Sequence, residues 1–372
     1  MELHQLDALL DSFVPMGIPG FDCAIARDGE VVYRRFDGLS DREAGTPMNG
    51  RERYNVYSCS KPLTCAAALA LRQSGAFRLD DPLADYLPEY ASMNVLRDGK
   101  LVPAQNRITI RHLFTMTAGF TYDTQSPGMA QCFDDTDGAC PTREVARYLA
   151  REPLSFEPGT NWQYGLGHDV LAALVEVVSG MPFDDYVRKT ICRPLGMEHT
   201  TYLLPMSEFN SLAAQYAVSY YTPGIVRVGK AHMNHDISRH SCRIGALHAS
   251  GGGGCATTVD DMMRFAIALC ESEDILSRET IREMATDQLA GPQRAAYWNK
   301  DYGYGLGVRC PRAGDSSRKD FGWDGAAGAY FFVDREEHLC GFFAEHVLNP
   351  PNAAQTNTIC ETVRRDLGLQ SV

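Results

Sequence analysis

Strand-like runs lie at both ends of this chain, and helix-like runs fill its middle. Residues 21–26 and 31–36 are short apolar-rich runs, and Asp28-Gly29 between them is a hairpin signal. Far downstream, 328–333 and 339–344 make a second hairpin-like pair around Asp334 to Glu337, and 302–308 alternates Gly with larger residues. Between the ends, 63–74 is rich in Ala and Leu and stops at Gly75, as a helix with a C-terminal Gly does. Residues 108–117 and 144–151 also look helical. Residues 170–178 place Leu171, Leu174, Val175 and Val178 on one face before Gly180. Short helices are expected over 260–269 and 278–284, and an amphipathic one over 357–367. Residues 189–248 follow no regular pattern. The simplest arrangement joins the terminal strands in one antiparallel sheet covered by helices. The fold expected is therefore α/β (α+β), with a sheet built from both chain ends and an all-helical second domain. Its α/β part would span 1–80, 150–195 and 245–372. The helical insert would span 81–149 and 196–244, and the cleft between the parts is a natural place for a site.

Composition narrows the partners. The 372 residues are 44% apolar and 22% charged, ordinary for a globular protein with a sizeable core. The formal net charge of -12 argues against nucleic acid or anionic membrane, which need clustered Lys and Arg. No window approaches the ~20 apolar residues of a membrane span. The start, Met1-Glu2-Leu3-His4, has no basic or apolar leader, so no signal peptide is visible and a cytoplasmic location is expected. Twelve scattered cysteines without a Cys-x-x-Cys pair read as reduced core residues, with a Cys132–Cys140 pairing left open. His232, His235, His240 and Cys242 do not fall in a standard zinc spacing, so no metal is expected. The run Gly251 to Gly254 lacks the Lys-Ser/Thr of a phosphate loop and reads as tight backbone packing.

Ser58-Cys59-Ser60-Lys61 opens the Ala-rich helix, and Pro62 suits a first helical turn. Ser and Lys three apart share a helix face. A Ser hydroxyl is a poor nucleophile until a base takes its proton, and a Lys amine of lowered pKa can take it. The helix N-terminus also favours negative charge developing on the Ser oxygen.

The surrounding motifs give this short pattern a context. Tyr57-Ser58-Cys59-Ser60-Lys61-Pro62 is followed by Arg78 to Pro82, Ile108 to Leu113 with Ala118-Gly119, and Glu157 to Thr160 with Tyr164. Pro194 to Met197, Gly251 to Gly254, and Phe321-Gly322-Trp323-Asp324-Gly325 complete the order. Over about residues 10 to 350 the chain resembles the serine beta-lactamase and penicillin-binding-protein superfamily. It is most similar to the branch of family VIII carboxylesterases and related acyltransferases.

That resemblance implies roles for particular residues. Tyr164 would be the general acid–base that passes a proton between Ser58, Lys61 and the leaving group. Leu166 stands where beta-lactamase-like members carry Asn, and Trp323 stands where penicillin-recognising members carry Lys. Both departures point away from penicillins, whose carboxylate needs a cation. Gly325 would let the strand backbone approach the substrate, and the N–H groups of Ser58 and Ala326 would form an oxyanion hole. Trp323, Gly325, Leu166, Tyr122 and Trp162 are the expected substrate-binding residues. The activity implied is hydrolysis of small carboxylic esters through an acyl-enzyme on Ser58, with no metal or organic cofactor. Acyl transfer, or cleavage of amides or peptides as in D-aminopeptidase- or beta-lactamase-like relatives, stays open. So does a binding protein on the same fold that has lost turnover. Nothing in the sequence fixes an oligomeric state.

Overall fold

Gly20–Arg27 (β1) and Glu30–Asp41 (β2) form a hairpin across Asp28-Gly29. Both turn residues have positive φ, 51° and 80°, as a two-residue turn matched to strand twist requires. Thr46–Pro47 (β3) adds to the outer edge of β2. From the other end of the chain come Gly303–Tyr304 (β4), Arg309–Cys310 (β5), Phe321–Asp324 (β6), Tyr330–Asp334 (β7) and Leu339–Glu345 (β8). β8 pairs antiparallel with β1, from Phe21 opposite Glu345 to Arg27 opposite Leu339. The two ends thus meet in one sheet of order β4-β5-β6-β7-β8-β1-β2-β3, antiparallel throughout. The computed structural model describes residues 2–219, 224–230, 245–315 and 317–369, so the constellation of His232, His235, His240 and Cys242 lies outside the described residues.

The helices that matter for the site are α1 (His4–Asp11), α2 (Ser60–Gln73), α3 (Pro127–Asp135), α4 (Thr142–Leu149), α5 (Gly167–Ser179), α6 (Val259–Glu271) and α7 (Ile359–Asp366). Phe21, Cys23 and Ile25 of β1 pack with Leu6 and Leu10 of α1 and Val363 of α7. Ala24 and Ala26 belong to the opposite cluster, with Phe265 of α6. With both faces covered, β1 is apolar almost throughout rather than alternating. α2 is buried on nearly every side and packs on α5, its Ala66, Ala67 and Ala68 permitting close approach. A helix hydrophobic all round belongs in a core, and this one carries Lys61 with it.

The second part departs from all-helical. Asn94–Arg97 and Lys100–Pro103 form a hairpin across Asp98-Gly99, both at positive φ. In the stretch that reads as irregular, Gln215–Val218 pairs with Ile225–Gly229 and, in parallel, with Val347–Leu348. These strands are too short to set a period, and only their partners stabilise them. The helix expected over 108–117 is confined to Ile110–Phe114, and the strand expected over 302–308 splits into β4 and β5 around Gly307. All described cysteines are buried thiols, Cys132 and Cys140 included. Among the described residues no helix is long and apolar enough to cross a membrane.

Candidate active site

Ser58 lies in the 3-10 turn Tyr57–Cys59 that leads into α2. Tyr57 has φ 45°, left-handed backbone that a bulky side chain avoids. Such a residue persists only where its surroundings hold it. Here its phenol donates to Gln215 Oε1 at 2.8 Å, and its carbonyl accepts from Ser60 Oγ at 2.5 Å. Ser60 also accepts from the Cys255 N–H at 3.0 Å, so this second serine pins the turn while Ser58 lines a cavity. Cys59 points the other way, its Sγ 3.3 Å from the Trp323 carbonyl. Burial raises its thiol well above the usual range, which removes it as a competing nucleophile.

Two groups converge on Ser58 Oγ. Lys61 Nζ donates to it at 3.0 Å and Tyr164 Oη at 2.6 Å. Lys61 is wholly buried and also donates to the Gly252 carbonyl at 2.6 Å. Its Nζ sits 4.6 Å from the ring centre of Tyr164 and 5.6 Å from that of Tyr122. His168 is buried nearby, and burial together with the Lys61 charge pushes it down to about 3, so it adds no second cation. The glycine run has the packing role expected of it. Thr64 Oγ1 donates to the Gly251 carbonyl at 2.8 Å, and a Cβ on Gly251 would stand 2.2 Å from the His168 carbonyl oxygen.

Aromatic rings hold Tyr164 in place. Tyr122 stacks on it at 5.3 Å and 5°, and Trp323 lies near-parallel on it at 6.1 Å and 15°. Trp162 stands 6.4 Å away and packs on Tyr297 and Tyr304. Trp298 meets Tyr164 edge-on at 5.2 Å and is half exposed at the rim. The chain has three tryptophans, and all three stand around this tyrosine. Gly325 makes a close approach, though to protein backbone: a Cβ there would lie 2.4 Å from the Val56 carbonyl oxygen. Its N–H donates to Ala329 at 2.8 Å, and Gly328 donates back to its carbonyl at 3.0 Å. This tight turn carries Ala326 to the cavity that Ser58 lines.

That cavity holds about 370 Å³, enough for a small organic substrate. Of the expected binding residues, Tyr122 and Leu166 line it. Trp162, Trp323 and Gly325 do not; they support Tyr164 and the Ser58 turn from behind. The sequence reading missed Met129 of α3 and Val145 of α4, which wall its far side, and the buried group of Asp169, His248 and Ser250. Periodicity alone marks Met129 and Val145 only as apolar positions. Asp169 stands two residues from Gly167, in the block that follows Tyr164, and that proximity was the available signal. Among the described residues no group of three or more His, Cys, Asp or Glu is placed to hold a metal.

Comparison with known proteins gives the family of the chain. The family model described as Beta-lactamase matches residues 6–359. Esterase EstB of Burkholderia gladioli is 32% identical over 356 residues, covering 89% of this chain and 87% of that protein. Lovastatin esterase of Penicillium rubens is 26% identical over 381 residues, covering 93% and 92%. Simvastatin synthase (LovD) from Aspergillus terreus superposes with a TM-score of 0.79 at 21% identity, over 98% of each chain. With a family match over nearly the whole chain and a relative of this identity, the protein belongs to the beta-lactamase family and is a serine hydrolase.

Proposed function

We propose that this protein hydrolyses small carboxylic esters by way of an acyl-enzyme on Ser58. The observation that carries the reading is the pair of contacts on Ser58 Oγ, from Lys61 at 3.0 Å and Tyr164 at 2.6 Å. One of these groups, in its basic form, takes the hydroxyl proton as Oγ attacks the ester carbonyl carbon. The carbonyl oxygen becomes an oxyanion, which the N–H groups of Ser58 and Ala326 would stabilise. Collapse of the intermediate breaks the bond to the alcohol, and Tyr164 returns the proton to that leaving oxygen. Water then repeats the sequence against the acyl group, releasing the acid and restoring the Ser58 hydroxyl.

The largely apolar wall of the cavity supports a neutral ester. Leu166 in the cavity wall, in place of an amide, supports the same class over carboxylate-bearing lactams. The names of the two esterase relatives point the same way. Transfer of the acyl group to an alcohol would use the same intermediate, and turnover with and without an added alcohol separates the two. Intact-mass spectrometry after incubation with an activated ester tests the core claim. The expected result is an acyl adduct in the wild type that is absent from Ser58→Ala; an adduct at full yield in the variant overturns the assignment.

A further inference from the structure

Gln215 does not line the cavity, yet it is joined to both turns that carry Ser58 and Ala326. It is buried, and it begins the short strand Gln215–Val218. Its side-chain oxygen accepts from Tyr57 Oη at 2.8 Å, and Asn55 Nδ2 stands 3.5 Å from the same oxygen. Tyr57 immediately precedes Ser58 and has φ 45°. A bulky residue leaves that left-handed region unless both its ends are held. Gln215 holds the phenol, and Ser60 Oγ holds the carbonyl at 2.5 Å.

The strand that Gln215 begins reaches the other turn. The Tyr216 N–H donates to the His346 carbonyl at 2.8 Å, and Tyr216 and Ala217 pair in parallel with Val347 and Leu348. The Val347 N–H donates to the Ala327 carbonyl at 3.2 Å, and the Asn349 N–H donates to the Ala326 carbonyl at 3.1 Å. Leu348, between these two donors, lines the cavity. One short strand is thus tied to the Ser58 turn through a side chain and to the Ala326 turn through backbone hydrogen bonds. Satisfying a buried phenol needs neither the left-handed backbone beside the nucleophile nor the link to Ala326.

We propose that Gln215 is a positioning residue: acting through Tyr57, it holds Ser58 Oγ in register with the Ala326 N–H, so that both meet one carbonyl group. The inference rests on the ester-hydrolase reading of Ser58. Gln215 touches no substrate, so its loss falls alike on small and bulky esters, and on the reaction of Ser58 with a fluorophosphonate. A misplacement of about 1 Å costs about 100-fold in rate.

Tyr57→Phe and Gln215→Leu each remove this hydrogen bond, one from either end, and the double variant removes it once. Turnover of an acetyl ester and a bulky ester, the rate of fluorophosphonate labelling, and calorimetry are measured below the melting temperature of every variant. Each single variant should lose about ten- to hundred-fold in kcat/KM on both esters and label more slowly by a similar factor. The double variant should lose no more than the worse single one, because both substitutions break the same bond. A merely structural role lowers the melting temperature and leaves these rates in place. A folded single variant within about threefold of wild type in turnover and labelling overturns the proposal, and either variant decides this where the other does not fold. Losses that multiply in the double variant, or that fall on the bulky ester alone, overturn it too. Failure of wild-type Ser58 to label would instead remove the hydrolase reading.

Discussion

Removing a single oxygen from Tyr164 separates chemistry from packing. The ring of Tyr164 is held by Tyr122 at 5.3 Å, Trp298 at 5.2 Å and Trp323 at 6.1 Å, and Tyr164→Phe keeps all three contacts. What it loses is the 2.6 Å hydrogen bond to Ser58 Oγ. Such a bond contributes about 1 kcal/mol to stability, which in a chain this large moves the melting temperature by about 2 °C. Its catalytic loss should be larger, because in the proposed mechanism the hydroxyl is the group that moves the leaving-group proton. General acid–base groups contribute about 10² to 10⁴ in rate. Steady-state kinetics on an aryl ester and on an alkyl ester, with calorimetry on the same preparations, give both numbers. The alkyl ester should lose more, since its alcohol leaves poorly without protonation. A kcat within tenfold of wild type on the alkyl ester would refute the role given to Tyr164.

Three further predictions follow from particular contacts. Gly325→Ala forces a methyl to 2.4 Å from the Val56 carbonyl oxygen. It should cost about 1–3 kcal/mol and lower kcat/KM about 100-fold by displacing Ala326, measured by urea melts and ester turnover. Trp323→Ala empties a position that is 6% exposed among Trp298, Tyr304 and Tyr164. A loss of about 3–5 kcal/mol by denaturant titration is expected, with equal activity losses on small and bulky esters. Burial pushes the Glu345 carboxyl from 4.5 up to about 8, partly offset by Asn352. The folded form holds that proton while the unfolded chain gives it up. Its contribution to stability is therefore present below pH about 4.5 and lost as pH rises through about 8. Melting temperatures of Glu345→Gln against wild type across that window should converge at low pH and diverge in the variant's favour at high pH.

The hairpins at the two ends were legible because turn chemistry is local. Asp28-Gly29 adopts the positive φ values that its residues favour, and the flanking apolar runs are the strands β1 and β2. The helix over Ser60–Gln73 was legible from Ala and Leu content and the Gly75 stop. The hairpin Asn94–Arg97 with Lys100–Pro103 carries the same Asp-Gly signal, but its flanks are short and half polar and set no strand pattern around it. The parallel contact of Val347–Leu348 with Tyr216–Ala217 joins segments far apart in the chain, and no local pattern encodes such a partner.

The pairing of Ser58 with Lys61 is local in origin. A Ser and a Lys three apart on one helix face need no tertiary information to be neighbours, and Lys61 Nζ lies 3.0 Å from Ser58 Oγ. Tyr164 comes from another part of the chain, and only folding brings its hydroxyl to the same oxygen. The tertiary structure alone decided which aromatic residues line the cavity and which stand behind it. Tyr122 faces the cavity, whereas Trp162 and Trp323 support Tyr164 from the core side. It decided the surroundings of Asp169 as well: one oxygen accepts from Ser250, and the other is buried with no hydrogen-bond partner among the described residues. The reason is the same in each case. Residue type and local spacing fix what a side chain can do, while burial and orientation come from contacts between segments distant in sequence, which the sheet closed by β1 and β8 brings together.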